Sequence, residues 1–494
     1  MKILIVGGGS AGWMTAATLE SQFPHYKISL IESKNISTVG VGESTLGQIT
    51  DWMRLLKIED KDFIKHVDGS YKLSIKFTDF YKKGEAFYYP FGKPALAQTR
   101  FETNDWWFKK MLHPKTPYSD YTDCIYPLQM AYVNQNKFDI NEVQRAYHFD
   151  ATKFGLWLKN NYCKKIKHIL DDVVSIEQDE NGITSLNNKY KADLYIDCTG
   201  FKSLLLDKTL KEPFESYSDM LPNDSAWATR IQYKDKEKEL VPYTNCTAIE
   251  NGWVWNIPLW SRIGTGYVYS SKFVDDDTAL KQFKKHIGQE ELEFKNIKMR
   301  VGIHNRLWVK NVVAIGLSAG FIEPLESNGL YTVHEFLTKL VLNLQRDKIS
   351  QWDRDNFTYQ CKHMFKEFSE FVGLHYALSH RNDTEYWKHC LNKTWDNTLI
   401  NLKHRAFSGF KEAVYNRTYN FKYPDYTGLH CIAAGMHWAP TNKTTLIKHG
   451  GFNEETLEKE FKECINKLNE RKELCKQLVK EKPSLFSVLK NVHK

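Results

Sequence analysis

The sequence predicts an α/β protein that combines a Rossmann-type dinucleotide-binding module, an inserted β-sheet module and a helical C-terminal region. Residues 7–12 form a glycine turn between a short apolar run and a helical pattern, which is the order of a Rossmann unit. Residues 71–140 and 211–294 are rich in aromatic and β-branched residues, which favour strands. From Tyr331 onward, long helical periodicities dominate.

The N-terminal segment carries each part of a dinucleotide-binding unit. Residues 2–6 predict a buried strand, residues 13–23 a helix, and residues 28–31 a second strand that ends in Glu32. Glycines let the backbone approach a pyrophosphate, and the amides at a helix N-terminus favour negative charge. We therefore expect Glu32 to bind the ribose hydroxyls, and the turn to contact the dinucleotide through Gly7, Gly9, Ser10, Ala11 and Gly12.

Two later segments resemble further strands of the same module. Residues 194–200 and 312–316 are buried-strand patterns that end in a turn, and a helical stretch follows each of them. The dinucleotide-binding module is therefore predicted to be discontinuous, and the rest of the chain is assigned to substrate binding. The predicted boundaries are 1–70, 141–210 and 295–345 for the first module, and 71–140, 211–294 and 346–494 for the second.

Composition excludes several classes of protein. With 494 residues, 42% of them apolar and 14% aromatic, the chain is expected to be globular. The net charge of +8 comes from segments that mix acids and bases, such as 458–482, so we expect a solvated surface and no nucleic-acid partner. The nine cysteines include no Cys-x-x-Cys pair, which favours a reducing compartment and no metal site. Neither a secretion signal nor an apolar run of membrane-spanning length is apparent, so we expect a soluble cytoplasmic protein with no membrane partner.

The segment Trp253-Val254-Trp255-Asn256-Ile257-Pro258 stands out in the middle of the chain. On a strand, Trp253 and Trp255 point to the same face, and Pro258 cannot extend a hydrogen-bonded ladder. The pattern by itself is typical of a core strand near a sheet edge. Its other interpretation is an aromatic wall that blocks access to one side of the strand.

Two other segments carry candidate chemistry. In residues 70–77 polar and apolar residues alternate, so Lys72 and Lys76 lie on one face, and the pattern alone favours solvated lysines. In residues 316–331, small residues precede Pro324, which fixes a turn that presents Glu326. Taken alone, that segment is a capped loop before a helix.

In this order, the motifs resemble those of the flavin-dependent halogenases, a family typified by the tryptophan halogenases. The resemblance extends from Gly7 to about Trp387. It implies that the dinucleotide is FAD and that its module is of the flavin monooxygenase kind. Five shorter matches support it, at residues 40–45, 147–150, 171–174, 371–376 and 381–387.

The resemblance assigns the reacting groups. It implies that Lys72 and Glu326 are catalytic, and that the backbone amides of Asn328 and Gly329 bind halide. Lys76 also occurs in the family but is not the essential lysine. Those enzymes have threonine where this chain has Asn328. An altered pocket is expected to favour bromide or iodide, which are easier to oxidise and to desolvate than chloride.

The resemblance also assigns the walls of the site. Trp253, Trp255 and Pro258 form a barrier that keeps organic substrate from the flavin. Further FAD contacts are implied at Gly42, Glu43, Val173, Leu317 and Leu330, and substrate contacts at Tyr89, Phe91 and Glu326. Phe91 corresponds to a ring that stacks on the indole, and Tyr89 replaces a histidine.

The implied reaction consumes reduced FAD, oxygen and a halide, namely chloride, bromide or iodide. Hypohalous acid reaches Lys72, which hydrogen-bonds it or forms a haloamine, and the halogen passes to an electron-rich indole or phenol. Glu326 polarises the electrophile or accepts the ring proton. Because no second nucleotide motif is present, reduced FAD is expected from a separate flavin reductase. A homo-oligomer is compatible with the sequence.

Two alternatives remain open. A flavin-dependent aromatic monooxygenase would hydroxylate its substrate, but Gly316-Leu317 lacks the aspartate of the Gly-Asp pair typical of that class. An FAD-binding scaffold without turnover would not need Lys72 or Glu326.

The stretch 415–440 bears on the substrate. It contains neither the glutamate nor the Phe-Trp pair with which free-tryptophan halogenases hold the amino-acid end. We therefore expect an aromatic other than free tryptophan, and we interpret Arg417, Lys422 and Asp425 as solvated loop charges.

Overall fold

Strands from distant parts of the chain meet in two large sheets, which the computed structural model describes for residues 1–35, 42–95, 105–346, 348–393, 395, 426–439 and 454–494. The strands are β1 Lys2–Val6, β2 Lys27–Glu32, β3 Glu43–Ser44, β4 Ser70–Lys72, β5 Ser74–Thr78, β6 Ala86–Pro90, β7 Ala146–Phe149, β8 Lys167–Leu170, β9 Ile176–Asp179, β10 Gly182–Leu186, β11 Leu194–Asp197, β12 Phe214–Ser216, β13 Ser225–Ile231, β14 Tyr243–Ile249, β15 Gly252–Pro258, β16 Ile263–Tyr269, β17 Lys295–Lys298, β18 Gly302–His304, β19 Trp308–Val309, β20 Val312–Ala314 and β21 Gly320–Phe321.

The helices lie mostly in the first and last thirds of the chain. They are α1 Ser10–Gln22, α2 Ile49–Leu55, α3 Asp60–Phe63, α4 Asp105–Leu112, α5 Asp120–Ile125, α6 Pro127–Asn134, α7 Ala151–Tyr162, α8 Lys236–Glu239, α9 Asp276–Ile287, α10 Gly329–Leu344, α11 Gln351–Ala377, α12 Glu385–Asn392, α13 Tyr426–Gly435, α14 Glu454–Lys480 and α15 Leu485–Val492. No helix in these described ranges is long and apolar enough to cross a membrane.

The first large sheet has the Rossmann arrangement. Its order is β19-β20-β11-β1-β2-β8, and every neighbouring pair from β20 to β8 is parallel. These strands lie within residues 1–70, 141–210 and 295–345. Helix α1 follows β1 directly, as the glycine turn predicts, and β2 ends at Glu32.

The second large sheet has seven strands in the order β17-β13-β16-β15-β14-β5-β6. All its pairs are antiparallel except β14 with β5. Strand β15, which contains both tryptophans of the central motif, is the fourth of the seven. The interpretation of that motif as a strand near a sheet edge is therefore wrong, because Pro258 ends β15 without leaving its side unpaired.

A three-stranded sheet, β3-β7-β4, lies next to the large sheets and matters for the site. Ser44 in β3 and Ser70 in β4 both pair with His148 in β7. Strands β4 and β5 are consecutive in sequence, but they belong to different sheets, and Leu73 separates them.

The prediction of sheet throughout 71–140 is wrong beyond residue 90, where α4, α5 and α6 occupy 105–134. Its aromatic side chains predict strands, but they pack between helices instead. Trp106, Tyr121 and Tyr132 are fully buried there. Likewise α9 interrupts 211–294. It begins where the Asp275 side chain accepts from the Thr278 amide and ends at Gly288, whose φ is +65°.

Candidate active site

The glycine turn lies against the carboxyl end of the parallel sheet and requires glycine at two positions. Gly7 has a φ of +112°, and a Cβ there would lie 2.3 Å from the Cys198 carbonyl oxygen. A Cβ on Gly12 would lie 1.9 Å from the Gly7 oxygen. Gly9 precedes α1 and caps it with no side chain, so the amides of Ser10 and Ala11 begin the helix without a side-chain acceptor from that residue.

Glu32 lies at the end of β2, beside this turn. Its Oε1 is 2.6 Å from His168 Nε2 on β8, and a Cβ on Gly8 would lie 1.5 Å from its Oε2. The carboxylate thus lies beside the glycine turn, as expected for a residue that would accept hydrogen bonds from ribose hydroxyls. The close-packed glycines and this acceptor fit a dinucleotide. Sequence reasoning did not find His168, because nothing in its local pattern distinguishes it.

Two further segments face the same turn. A Cβ on Gly316, which has a φ of +74°, would lie 2.9 Å from the Ala11 Cβ, so the turn that carries Leu317 packs on the start of α1. Leu317 is 39% exposed, which is high for a leucine within the fold. Val173 is partly buried, two residues after Asp171, whose amide donates to the Glu32 carbonyl.

The segment 42–45 crosses from the turn toward the second large sheet. Gly42 and Glu43 lie here, whereas Gly40 and Val41 lie outside the described residues. A Cβ on Gly329 would lie 3.4 Å from Glu43 Oε2, so this carboxylate approaches the start of α10, where Leu330 is buried. Burial, and then the charge of Asp150, raise the pKa of Glu43 to about 7.

Lys72 ends β4 and is completely buried. Its Nζ donates to the Thr45 carbonyl oxygen at 2.9 Å and to Ser327 Oγ at 2.7 Å, and it lies 4.9 Å from the centre of the Phe91 ring. Burial lowers the pKa of Lys72 to about 7, while Cys246 and Glu326 oppose that shift. The interpretation of Lys72 as a solvated lysine is therefore wrong. The strand breaks at Leu73, so β4 belongs to the β3-β7-β4 sheet, where Lys72 is buried.

Glu326 ends the short 3₁₀ turn Pro324–Glu326 and is also completely buried. Its Oε1 lies 2.9 Å from His375 Nε2, and neither carboxylate oxygen has another partner among the described residues. Burial raises the pKa of Glu326, and His375 and Lys72 oppose this. Glu326 is therefore a buried hydrogen-bond acceptor close to Lys72, and it contacts His375.

Asn328 and Gly329 lie at the start of α10, as predicted. The Asn328 side chain does not cap the helix; its Nδ2 donates to the Ile322 carbonyl oxygen at 3.2 Å. Because the first amides of an α-helix have no acceptor within the helix, the backbone here favours an anion.

The tryptophan wall lies in the centre of the seven-stranded sheet. The two rings are 6.2 Å apart, and Trp253 Nε1 donates to Glu323 Oε2 at 2.8 Å. Trp255 lies directly over β16, since a Cβ on Gly266 would be 2.1 Å from its ring. At the end of the strand, the Pro258 carbonyl oxygen accepts from the Ser70 hydroxyl. The wall strand therefore contacts the segments of both Glu326 and Lys72.

A cluster of aromatic side chains lies next to Lys72, beginning with Phe91. Tyr89 in β6 and Phe91 just after it are 5.8 Å apart, and Tyr89 also meets Phe371 of α11 at 6.2 Å. Helix α13 lies on top, where a Cβ on Gly428 would be 2.7 Å from the Tyr89 ring. Arg417, Lys422 and Asp425 lie outside the described residues, as does most of 415–440.

The structure thus brings Lys72 close to Glu326, to the Phe91 ring and, through Ser327, to the segment that leads into α10. It also adds residues that sequence reasoning assigned no role. They are Ser44, His148, Thr244, Glu323, Ser327 and His375. All of them except Thr244 lie in segments that carry the resemblance, but the resemblance assigned a function to none of the six.

Comparison with known proteins relates this arrangement to one family. The sequence profile of the tryptophan halogenases matches residues 2–450. Tryptophan 6-halogenase SttH of Streptomyces toxytricini is 35% identical over 424 residues, which are 78% of this chain and 80% of that protein.

Solved structures agree over nearly the whole chain. The VirX1 apo structure superposes with a TM-score of 0.90 at 36% identity and covers 99% of both chains. Tar14, a tryptophan C-6 flavin-dependent halogenase (chlorinase) from taromycin biosynthesis, superposes with a TM-score of 0.86 at 30% identity over 100% of both. The predicted α/β fold class is confirmed by these structures.

Proposed function

Since the chain belongs to the tryptophan halogenase family and is a flavin-dependent halogenase, we propose that it uses reduced FAD, oxygen and halide to halogenate an electron-rich aromatic. One observation supports the site most directly. Lys72 is a completely buried amine that lies over the Phe91 ring, and it is close enough to Glu326 for the charge of that carboxylate to raise its pKa. An amine that titrates near neutral pH suits either a hydrogen bond to hypohalous acid or a haloamine.

The flavin-binding assignment rests on the cradle around the glycine turn. FAD would supply, with oxygen, the oxidising equivalent that converts halide into hypohalous acid. Its proposed contacts are Gly7, Gly9, Ser10, Ala11, Gly12, Glu32, Gly42, Glu43, Val173, Leu317 and Leu330. A separate flavin reductase provides the reduced cofactor in this proposal.

In this proposal the halide and the halogen-accepting amine lie near each other, because Ser327 joins Lys72 to the segment before α10. The amides of Asn328 and Gly329 bind the halide at the start of α10, where the helix dipole favours an anion. Lys72 receives the halogen, and Glu326 polarises the electrophile or accepts the ring proton. Trp253, Trp255 and Pro258 keep the aromatic away from the flavin.

An indole is the favoured acceptor, because SttH and Tar14 are named as tryptophan halogenases. Tyr89 and Phe91 are the proposed ring contacts, with Phe371 beside Tyr89. Since 415–440 lacks the glutamate and the Phe-Trp pair described above, we propose an indole or phenol other than free tryptophan.

A bromination assay tests the proposal. The protein is given oxygen, FAD and a flavin reductase with its reductant, with and without bromide, and an indole acceptor. Brominated product that requires bromide is expected; hydroxylated product in both reactions would instead identify a monooxygenase. Competition among chloride, bromide and iodide in the same assay ranks the halides, and we expect the two larger ions to be preferred.

The Lys72→Ala variant tests the site in that assay. We expect bromination to fall by at least about 100-fold, while FAD binding, followed by flavin fluorescence, is retained. Lys76→Ala is the matched control, because Lys76 lies in the adjacent strand and its Nζ lies over the rings of Tyr88 and Tyr243. Full bromination by Lys72→Ala would contradict the assignment.

A further inference from the structure

A continuous row of buried hydrogen bonds joins Lys72 to a histidine that the proposed reaction does not yet use. Lys72 Nζ donates to Ser327 Oγ at 2.7 Å, and Ser327 donates to Ser44 Oγ at 3.0 Å. Ser44 Oγ is 2.7 Å from Thr244 Oγ1, which is 2.8 Å from His148 Nε2. All five side chains are buried, and none is more than 7% exposed.

Five separate segments supply this row, one residue each. Ser44 and His148 face each other in the β3-β7-β4 sheet, where Lys72 ends β4. Thr244 comes from β14 of the seven-stranded sheet, and Ser327 follows the Glu326 turn. The hydroxyls therefore meet at the junction of two sheets and a loop, where close packing leaves no route for bulk water between them.

The hydrogen bonds beyond His148 fix the direction of the row. Ser70 donates its hydroxyl hydrogen to the Pro258 carbonyl oxygen, so its Oγ can only accept from His148 Nδ1, 3.3 Å away. A neutral His148 therefore carries its hydrogen on Nδ1 and has a lone pair on Nε2. Thr244 must then donate to Nε2 and Ser44 to Thr244. Every hydrogen in the row points from Lys72 toward His148.

We propose that this row is a proton relay in which His148 takes up the proton that the Lys72 ammonium must lose before it can form a haloamine. Four transfers complete it: Lys72 to Ser327, Ser327 to Ser44, Ser44 to Thr244, and Thr244 to His148 Nε2. Each hydroxyl gains one proton and loses one, so the products are a neutral amine and an imidazolium. The inference rests on the proposed function.

The neutral amine then reacts with hypohalous acid in a balanced step. An N–X bond forms and the O–X bond breaks; the amine loses one hydrogen, which leaves with the hydroxyl as water. When the halogen passes to the ring, the ring loses a proton and Lys72 recovers an N–H bond. The reverse relay returns the proton from His148 to Lys72.

Loss of the Lys72 charge makes proton uptake by His148 easier, while burial continues to oppose it. Burial, and then the Lys72 charge, hold the pKa of His148 well below its usual range, so the histidine begins as an empty acceptor. Loss of the ammonium charge removes that repulsion. The other ionisable groups that face Lys72 are Glu326 and Cys246, and neither is a member of the row.

Substitutions at Thr244 break or preserve the relay with little change in shape. Thr244→Val removes the hydroxyl, while Thr244→Ser keeps it and serves as the matched control. We expect Thr244→Val to lower halogenation at least roughly tenfold at pH 6. The deficit should shrink above pH 7, the pKa of Lys72, because the amine is then neutral without the relay. Thr244→Ser should keep the wild-type pH profile.

The pH profile separates a relay from a merely structural hydroxyl, whose loss would lower the rate equally at every pH. Release of hypohalous acid in the absence of an aromatic, followed with a thiol trap, should be unchanged in Thr244→Val. Coincident pH profiles of the Val and Ser variants would overturn the proposal. A wild-type protein that halogenates nothing would instead contradict the proposed function.

A second measurement needs neither flavin nor turnover. In protein labelled with ¹⁵N-histidine, the His148 signals, assigned by comparison with His148→Asn, should show the Nδ1–H tautomer. The pKa of His148 should rise in Lys72→Met, because the neighbouring cation is gone. An Nε2–H tautomer would reverse the direction of the row and overturn the relay even if halogenation is confirmed.

Discussion

Lys72 places an ammonium group where folding has removed its water. The side chain is 0% exposed and has two oxygen acceptors, Thr45 O and Ser327 Oγ. Two hydrogen bonds do not replace full hydration of a cation, so burial disfavours the charged form. The folded protein therefore keeps a reactive amine at a cost in stability.

This cost predicts a pH dependence of stability. Between pH 7 and 10.5 the unfolded chain holds the lysine proton, whereas folded Lys72, with its pKa lowered to about 7, has released it. The free energy of unfolding therefore rises with pH in this window, by up to about 1.4 kcal/mol per unit. From pH 7 to 9, wild type should gain up to about 3 kcal/mol relative to Lys72→Met, as measured by urea unfolding.

Lys76→Met provides the comparison, because Lys76 is a lysine of the neighbouring strand that is partly exposed to solvent. Parallel stability curves for wild type and Lys72→Met would show that Lys72 keeps its proton in the folded state, and would remove one support for the haloamine route.

For single residues, only the family resemblance singled out Lys72 and Glu326 as the proposed reacting groups. The alternation in residues 70–77 favoured solvated lysines, and a pattern of period two cannot reveal that the strand changes sheets at Leu73. The relay residues were beyond reach for a related reason. Ser44, Thr244 and Ser327 lie in three distant segments, and a hydroxyl that faces another hydroxyl leaves no local signature.

Among the elements, β15 is the one that we propose divides the site. It is paired on both sides, by β14 and β16, so its two tryptophans cannot move without disturbing the sheet. Glu323 Oε2 accepts from Trp253 Nε1, Asn223 Nδ2 and the Tyr376 hydroxyl. This one carboxylate ties the wall to α11 and to the turn that ends in Glu326.

Opening the wall should uncouple flavin oxidation from halogenation. In Trp255→Leu the ring that lies over Gly266 is lost, so water and substrate gain access toward the flavin side. We expect oxygen consumption per reduced flavin to persist while halogenated product per oxygen falls several-fold, and hydroxylated product to appear if the aromatic reaches the flavin. Both quantities are measured in one reaction with an oxygen electrode and product chromatography.

Trp227→Leu is the matched control for this prediction. Trp227 lies in β13 of the same sheet, but its ring packs on a separate apolar cluster and its Nε1 donates to the Asp276 carbonyl oxygen. Its loss should lower stability without changing the ratio of product to oxygen. Equal uncoupling in both variants would mean that the sheet as a whole, and not the wall, controls access.

The sequence placed β15 correctly as a strand with a bulky face, yet its central position was unexpected. A proline is usually a sign of an edge strand, because it cannot donate to a ladder. Here Pro258 is the last residue of β15 and only its carbonyl oxygen is used, by Ser70. The missing backbone amide of Pro258 therefore does not indicate whether β15 lies at the edge or in the centre of its sheet.

Across the whole molecule, a largely buried ionic cluster joins α14 to helices α4 and α5 in the first third of the chain. Asp120 of α5 lies 2.6 Å from Lys109 Nζ of α4 and 2.6 Å from Lys472 Nζ of α14, and Trp106 Nε1 donates to it at 3.0 Å. Mixed charges in 458–482 indicated a solvated surface. The prediction is wrong at Lys472, because its partner lies about 350 residues earlier, beyond the reach of any local pattern.

Breaking this cluster should loosen α14. Burial raises the pKa of Asp120, but the hydrogen bonds and charges of Lys109 and Lys472 outweigh it and lower the pKa to about 2. The folded-state pKa is therefore below the unfolded value of 3.8, so the cluster stabilises the protein fully above that pH and loses its effect as the pH falls toward 2. Asp120→Asn removes the charge at every pH and leaves two lysines without their anion.

We expect Asp120→Asn to lower the free energy of unfolding at pH 7 by about 3 kcal/mol, and trypsin to release residues 454–480 faster than from wild type. Lys476→Met, one turn from Lys472, should cost less than about 0.5 kcal/mol, because its pair with Glu473 is exposed to solvent. As the pH is lowered from 5 to 2, wild type should approach the stability of Asp120→Asn. Equal proteolysis of the two variants would show that apolar packing alone, as between Phe108 and Phe461, holds the helix in place.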